Sequence, residues 1–301
     1  MIAARTIIGL DVGGTKIFAA RFTLAGEIEA ETVVPTEADQ GKNQVVDNMA
    51  QAISNVLDPS VQAIGVAWAG FVDSENGIIR RAPNIPGFKN FSLADEIERR
   101  FGLPSVVEND ARLFAFAEAQ IGVGRGSPEV LGIILGTGVG SGLILKGEIF
   151  RGYNGFAGEV GQTFLSLEGE EQTEYMLAGP ALHRHLNAVG IHNGINDNVI
   201  HWVHRNGKAH EVFEAWLLRL SRFTTNMILA FNPSTIVFGG GIGINILPTF
   251  LPQLTKNVCS VLDERSFPST VDLRIATLKN AGALGAALFV RRKLEKEQGI
   301  F

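Results

Sequence analysis

Two glycine-rich turns in this chain carry the residue types that could bind a polyphosphate. The first lies at residues 11–16 (DVGGTK) and the second at residues 136–140 (GTGVG), and each follows an apolar, strand-like run. Because glycine has no side chain, a ligand can approach the backbone N–H groups of such a turn closely. Several N–H groups that point the same way form an anion-binding concavity. We therefore expect the two turns, with Gly13 and Gly14 in the first and Gly138 in the second, to hold a polyphosphate between them.

Polar side chains at both turns support this expectation. Thr15 and Thr137 add hydroxyl donors, and Lys16 adds a positive charge. Asp11 ends the strand before the first turn, and a carboxylate beside phosphates is a natural ligand for Mg²⁺. Neither turn is a Walker A loop or a Rossmann fingerprint, because the spacing differs and a strand follows each turn. A simple β-hairpin turn remains the alternative for the first of them.

A further candidate is the four-residue sequence ENDA at residues 108–111. It follows a short buried strand and precedes a helix predicted over residues 111–120. Open α/β sheets bind ligands at the carboxyl ends of their strands, so Asn109 and Asp110 are candidates for contacts with a substrate. Because Asn and Asp are also preferred helix caps, capping alone is the alternative for both residues.

The two turns lie in similar segments, residues 7–28 and 131–149. In each, a strand, a glycine turn, a second strand and a Gly-Glu-Ile turn follow one another. We interpret this as a weak internal repeat and predict two related domains that face a shared cleft. Elsewhere, buried strand runs alternate with helical spacing, which is typical of parallel sheets covered by helices. Other expectations are a loop over residues 77–91, a strand over 162–167 and a helix over 174–186.

Composition excludes several classes of function. The chain has 301 residues, of which 46% are hydrophobic and 19% charged, and its net charge is −5. No basic stripe is present, so nucleic acid is not an expected partner. The single cysteine, Cys259, excludes a disulfide within the chain and fits a reducing compartment. No segment has the pattern of a signal peptide or a membrane helix, and we therefore expect a cytoplasmic protein with no membrane partner.

Taken in order along nearly the whole chain, the motifs resemble those of the ROK family of sugar kinases (repressors, open reading frames and kinases). The matching stretches are 11–16, 82–84 (APN), 108–111, 136–140, 158–161 (GEVG), 174–182 (EYMLAGPAL) and 238–241 (FGGG). The resemblance implies an α/β fold of the actin-like ATPase (ribonuclease H-like) type, with two α/β domains around a cleft. We expect an N-terminal domain at residues 1–119, a C-terminal domain at 120–280, and a final helix, 281–301, that packs back on the first domain.

The resemblance also implies an activity, which is Mg²⁺- and ATP-dependent phosphorylation of a hydroxyl of a hexose or N-acetylhexosamine, with glucokinase as the first expectation. It assigns the general base to Asp110. The implied sugar contacts are Gly70, Asn84, Asn109, Asp110, Glu159 and Glu174. The implied phosphate contacts are Gly14, Thr15, Lys16, Thr137 and Gly138, and the implied adenosine contacts are Gly240 and Gly241. Family members are often dimers, so a homodimer is expected.

One departure from the family pattern concerns zinc. The family has a histidine where this chain has Gln162, and then a loop with three cysteines before the position of Glu174. Residues 168–173 (EGEEQT) contain no cysteine, so we expect no zinc site. The change leaves the identity of the sugar open and keeps an alternative, a catalytically weak sugar-binding or regulatory protein of the family. Polyphosphate in place of ATP is a further open alternative.

Overall fold

The computed structural model describes residues 5–165, 172–192, 203, 207–268 and 270–297. The chain divides into two compact units. Unit 1 consists of Met1–Ala117, Arg151–Ala157 and Leu278–Phe301, and unit 2 consists of Glu118–Phe150 and Gly158–Thr277. Each contains a five-stranded mixed sheet, which confirms the α/β class. Within the described ranges, no helix combines the length and apolar character that crossing a membrane requires.

The sheet of unit 1 has the strand order β3-β2-β1-β4-β8. Strands β1, β2 and β3 are antiparallel neighbours, whereas β4 runs parallel to β1, and β8 parallel to β4. These strands are β1 (Thr6–Val12), β2 (Lys16–Thr23), β3 (Ile28–Pro35), β4 (Val61–Trp68) and β8 (Ser105–Asn109). A second, three-stranded antiparallel sheet contains β5 (Phe71–Asp73), β6 (Ile78–Arg81) and β7 (Lys89–Ser92).

The helices of unit 1 are α1 (Lys42–Val56), α2 (Leu93–Phe101), the first part of α3 (Asp110–Gln120) and the final helix α9 (Ala281–Glu297), with a 3-10 turn at Ala38–Gln40. Buried side chains of β1, among them Ile8 and Leu10, share one hydrophobic core with the apolar face of α1. The alternation of side chains along β1 turns Gly9 toward the opposite face. Helix α9 packs there.

Paired glycines let α9 lie directly on the sheet. Gly9 of β1 and Gly65 of β4 are neighbours in the parallel register. A side chain at Gly9 would lie 2.0 Å from the carbonyl oxygen of Ala283, and one at Gly65 would lie 2.1 Å from that of Ala286. No side chain fits at such distances, so the helix backbone packs on bare strand backbone.

The sheet of unit 2 has the order β11-β10-β9-β12-β13. Its strands are β9 (Glu129–Leu135), β10 (Val139–Leu145), β11 (Glu148–Phe150), β12 (Thr235–Gly239) and β13 (Asp272–Ile275). The helices in its described residues are α4 (Thr173–Leu177), α5 (Gly179–Ala188), α6 (Gly207–Phe231), α7 (Gly240–Asn245) and α8 (Leu247–Glu264), with a 3-10 turn at Val160–Gln162. Three antiparallel strands followed by two parallel ones repeat the pattern of the unit 1 sheet, as an internal repeat predicts.

Two expectations for irregular regions were wrong. The loop predicted over residues 77–91 contains β6 and β7, because the two prolines and two glycines punctuate a hairpin rather than an open loop. The strand predicted over 162–167 is absent from its described part, residues 162–165. There the chain ends a 3-10 turn and forms one isolated bridge, between Phe164 and Gln172.

The helix predicted over residues 174–186 is two helices, α4 and α5. Ala178 is extended, with φ −66° and ψ 162°, and separates them. Pro180 has no N–H to continue the hydrogen-bond ladder of α4, but it is tolerated in the first turn of a new helix. Sequence reasoning also made no prediction for α8.

We expect Gly65→Ala to destabilise unit 1. The added methyl group would force α9 away from β4, and such overpacking costs about 1–3 kcal/mol. The free energy of unfolding from urea titration measures the loss. Gly207→Ala, in the exposed first turn of α6 where no atom lies within 4 Å of the added carbon, is the matched control. Equal stability of the two variants would contradict the close packing of α9.

Candidate active site

The junction of β8 and α3 carries two of the predicted site residues, Asn109 and Asp110. The Asn109 side-chain oxygen accepts a hydrogen bond from the backbone N–H of Arg112 at 3.1 Å, which caps α3. Its amide nitrogen donates to the carbonyl oxygen of Gly70 and to Oδ1 of Asp110, both at 3.1 Å. Asn109 therefore does cap the helix, and it also joins Gly70 and Asp110 in one cluster.

Asp110 is half-buried and held at a defined angle. Its Oδ1 accepts hydrogen bonds from the backbone N–H of Ala111 at 2.9 Å and from the amide of Asn109. Gly70 completes the cluster with a φ of 152°, where a side chain would lie 2.6 Å from the carbonyl oxygen of Arg81. A carboxylate oriented in this way at a strand end is suited to accept a proton from a bound ligand.

A fully buried carboxylate, Glu108, directly precedes this cluster. It accepts hydrogen bonds from Arg112 Nη1 at 3.2 Å, Arg151 Nε at 2.7 Å, Ser74 Oγ at 2.8 Å and the N–H of Asn109 at 2.8 Å. A buried charge is costly unless opposite charges and hydrogen bonds compensate it. Here two guanidinium groups and two neutral donors do so.

The same arginine pair fixes the segment 151–157 within unit 1. The Arg112 guanidinium also donates to the carbonyl oxygen of Gly155, and Arg151 belongs to the segment itself. The ring of Phe156 packs edge-on against Phe71 of β5, with centroids 6.0 Å apart. Glu108 therefore anchors both the β8–α3 junction and this segment.

The first glycine turn joins β1 and β2 as a β-hairpin turn. This is the conformation that the sequence offered as the alternative to a phosphate-binding turn. The N–H of Gly13 donates to the carbonyl oxygen of Lys16 at 3.0 Å. Neither Gly13 nor Gly14 has a positive φ. A side chain at Gly14 would instead lie 3.3 Å from the carbonyl oxygen of Asn84, which crowds it. The hairpin therefore brings Asn84 next to the turn.

Asp11 is half-buried near the end of β1. Burial raises the pKa of its carboxyl group to about 6, against the opposing effect of Lys16. A side chain at Gly282, in the first turn of α9, would lie 2.7 Å from Oδ2 of Asp11, so this glycine leaves room for the carboxylate. A carboxylate is an oxygen ligand of the kind that Mg²⁺ prefers.

The second glycine turn joins β9 and β10 in unit 2. The N–H of Gly136 donates to the carbonyl oxygen of Gly138 at 3.0 Å. Oε2 of Glu174 accepts a hydrogen bond from the N–H of Val139 at 2.9 Å, and a side chain at Gly138 would lie 2.4 Å from the same oxygen. Glu174, predicted as a sugar contact, thus adjoins the predicted phosphate contact Gly138, which directly follows Thr137.

Glu159 is flanked by two glycines that pack against β10. A side chain at Gly158, which has a φ of 92°, would lie 2.9 Å from the carbonyl oxygen of Ser141. A side chain at Gly161 would lie 2.2 Å from the carbonyl oxygen of Val139. The backbone on both sides of Glu159 is therefore fixed to the strand that leaves the second glycine turn.

The predicted adenosine contacts lie where β12 ends and α7 begins. Gly240 has a φ of 77°, and a side chain there would lie 2.5 Å from the carbonyl oxygen of Leu135. At Gly241 no atom lies within 4 Å of an added side-chain carbon. Gly240 is thus required by the backbone, and Gly241 offers open space.

In the portion of the chain that the structure describes, no group of three or more His, Cys, Asp or Glu side chains is arranged to hold a metal ion. Most of the stretch at residues 168–173, where the family has its three cysteines, lies outside the described residues. The expected lack of a zinc site therefore stays a prediction.

Each unit contains part of the predicted site. Unit 1 holds Asp11, Gly13, Gly14, Thr15, Lys16, Gly70, Asn84, Asn109 and Asp110, and unit 2 holds Thr137, Gly138, Glu159, Glu174, Gly240 and Gly241. Sequence reasoning missed the roles of Glu108, Arg112 and Arg151. The available signal was a glutamate directly after the apolar residues Val106 and Val107 of a buried strand run, since a charge there needs buried partners.

Comparison with known proteins agrees with the resemblance. The family model described as the ROK family matches residues 7–293. A glucokinase of Halalkalibacterium halodurans is 31% identical, with 96% of each chain covered. The ROK hexokinase of Thermus thermophilus, a solved structure, is 29% identical, covers 97% of this chain and 99% of its own, and has a TM-score of 0.82.

A second solved structure is a ROK family glucokinase from Streptomyces griseus in complex with glucose and AMPPNP. It is 28% identical, covers 95% of this chain and 99% of its own, and has a TM-score of 0.76. The two structures confirm the predicted fold, and the family match and the full-length relatives confirm the predicted family. This chain belongs to the ROK family, as one of its glucokinase-like sugar kinases.

Proposed function

We propose that this chain transfers the γ-phosphoryl group of ATP to a hydroxyl of glucose, with Asp110 as the general base. The observation that carries this proposal is the cluster of Asp110, Asn109 and Gly70 at the end of β8. The similar proteins support the choice of sugar and donor, since one is named a glucokinase and another was solved with glucose and AMPPNP.

In the proposed reaction, Asp110 accepts the proton of the sugar hydroxyl. The hydroxyl oxygen forms a bond to the γ-phosphorus as the bond between that phosphorus and ADP breaks. Phosphoryl transfer depends mainly on positioning and on stabilisation of charge, so the fixed angle of Asp110 matters. Gly70, Asn84 and Asn109 of unit 1, with Glu159 and Glu174 of unit 2, are the proposed sugar contacts.

The proposed nucleotide contacts follow the two glycine turns. The backbone N–H groups of Gly14 and Lys16, with the side chains of Thr15 and Lys16, are assigned to the phosphates. Gly13, whose own N–H donates to the carbonyl oxygen of Lys16, is assigned to the same site as part of the turn. Thr137 and Gly138 have the same assignment in unit 2, and Gly240 and Gly241 are assigned to adenosine. Asp11 would hold Mg²⁺, which neutralises phosphate charge when bound. We also propose that the enzyme is a cytoplasmic homodimer. Sedimentation velocity measures its oligomeric state.

An ADP-release assay over a panel of hexoses and N-acetylhexosamines, with and without Mg²⁺, tests the proposed function. We expect sugar-dependent ADP release, highest with glucose, and none when Mg²⁺ is chelated. Sugar binding by calorimetry without ADP release would instead favour a sugar-binding or regulatory protein. Sugar phosphate formed only from polyphosphate would reject ATP as the donor.

Asp110→Asn is expected to lower kcat about 10²- to 10⁴-fold, the usual contribution of a general base. The asparagine oxygen can still accept the N–H of Ala111, so the junction and the affinity for glucose should persist. Steady-state ADP release and glucose calorimetry measure the two effects. Asp263→Asn, on the exposed end of α8, serves as the control. A loss of less than about tenfold, which is 1.4 kcal/mol, would reject the role of Asp110.

Asp11→Asn is expected to change the pH dependence of stability in the absence of nucleotide and metal. The folded pKa of about 6 exceeds the ordinary value of 3.8, so the carboxyl favours folding when protonated, and this contribution is lost as pH rises from about 4 to 6. The variant should be more stable than the parent by up to about 3 kcal/mol at pH 8, and the difference should narrow toward pH 4.

Urea titrations of parent and variant at pH 4, 6 and 8 measure this effect. With Mg²⁺ and ATP present at pH 8, the parent should become more stable than the variant. Only the parent has the Asp11 carboxylate that is proposed to bind the metal. A stability difference that is the same at every pH would show that the burial of Asp11 does not govern its proton affinity.

A further inference from the structure

Thr36 makes two hydrogen bonds to the first glycine turn. It is fully buried and directly follows β3. Its hydroxyl donates to the carbonyl oxygen of Gly13 at 2.7 Å. Its backbone N–H donates to the carbonyl oxygen of Thr15 at 3.1 Å. Both bonds end on the backbone of the turn, at the carbonyl groups of the two residues on either side of Gly14.

Helix α1 holds Thr36 in place through Asn48, which is 6% exposed. The Asn48 amide nitrogen donates to the carbonyl oxygens of Pro35 and Thr36, at 3.1 and 3.3 Å, and to Glu37 Oε2 at 3.0 Å. Its side-chain oxygen accepts a hydrogen bond from Gln44 at 3.0 Å. A chain of hydrogen bonds thus leads from α1 through Thr36 to the turn.

These bonds fix the direction of the N–H groups of the turn. In a planar trans peptide, the C=O of one residue and the N–H of the next point in opposite directions, and the described part of the chain contains no cis peptide bond. When Thr36 holds the carbonyl oxygens of Gly13 and Thr15, the N–H groups of Gly14 and Lys16 must point away from Thr36. Those are two of the donors assigned above to phosphate.

We propose that Thr36 is a positioning residue for ATP, because its hydroxyl and N–H aim the Gly14 and Lys16 N–H groups at the phosphates. The inference rests on the proposed nucleotide site of unit 1. Thr36 itself contacts no ligand in this account. It acts through the two carbonyl groups, so its loss should affect the nucleotide and leave the sugar unaffected.

Thr36→Val keeps the shape of the side chain and removes the hydroxyl, which leaves the Gly13 carbonyl without this donor. We expect the Kd for MgADP and the KM for MgATP to rise about tenfold, the effect of one lost buried hydrogen bond. The KM for glucose should stay within about twofold. Calorimetry with MgADP and steady-state ADP release measure these values. If the valine variant does not fold, Thr36→Ala also removes the hydroxyl and should raise the Kd for MgADP and the KM for MgATP in the same way.

Two controls separate positioning from simple loss of stability. Thr36→Ser retains the hydroxyl and should restore nucleotide affinity to within about twofold of the parent. Thr224→Val removes another fully buried hydroxyl, which donates to the carbonyl oxygen of Leu220 at 2.8 Å in unit 2. It should lower stability and leave nucleotide affinity unchanged.

Unchanged MgADP affinity in Thr36→Val, or an equal loss in Thr224→Val, would overturn the inference. So would a failure of the parent protein to bind MgADP at all. Failure of the proposed function looks different, since the parent would then bind MgADP, and lose affinity in Thr36→Val, without releasing ADP in the presence of any sugar.

Discussion

The buried carboxylate of Glu108 is the interaction on which the candidate active site depends. Removing one partner of a buried ion pair is costly, because the remaining charge is left without compensation. Glu108, Arg112 and Arg151 therefore hold one another in place, and they carry with them the chain on either side. Asn109 and Asp110 follow Glu108 directly, so the end of β8, the start of α3 and the segment 151–157 share one anchor. Asn109 then transmits that position to the carboxylate of Asp110 and to Gly70.

The glycines of the two turns act by leaving space rather than by adopting unusual dihedral angles. At Gly14 the neighbour is Asn84, and at Gly138 it is the carboxylate of Glu174. Gly282, in the first turn of α9, leaves space for the carboxylate of Asp11 in the same way. In each case a residue predicted for the site lies against a glycine, through its backbone carbonyl group at Asn84 and through its side chain at Glu174 and Asp11, so a methyl group on the glycine would crowd that residue. Gly70 and Gly240 are different, since their positive φ angles require glycine as well.

Much of this could be predicted from the sequence, because the strong signals are local. Apolar runs and helical spacing located the sheet strands, and the order of the motifs identified the family and its site residues. What could not be predicted depends on contacts between distant residues. The hairpin of β6 and β7 forms by pairing across a turn rich in proline and glycine, where no single strand is apolar enough to stand out. One arginine partner of Glu108, Arg151, lies 43 positions further along the chain. The bonds of Thr36 reach back 23 positions to Gly13.

We propose that Glu108 serves catalysis through Asp110, and single-turnover phosphoryl transfer in a double-mutant cycle tests this role most directly. The cycle compares the parent, Glu108→Gln, Asp110→Asn and the double variant at saturating glucose and MgATP, with glucose calorimetry as the check on folding. If Glu108 acts by holding the general base, its replacement slows transfer in the parent but costs nothing further once Asp110 is asparagine. Losses that simply multiply in the double variant would show that the two residues act independently, and would contradict the account.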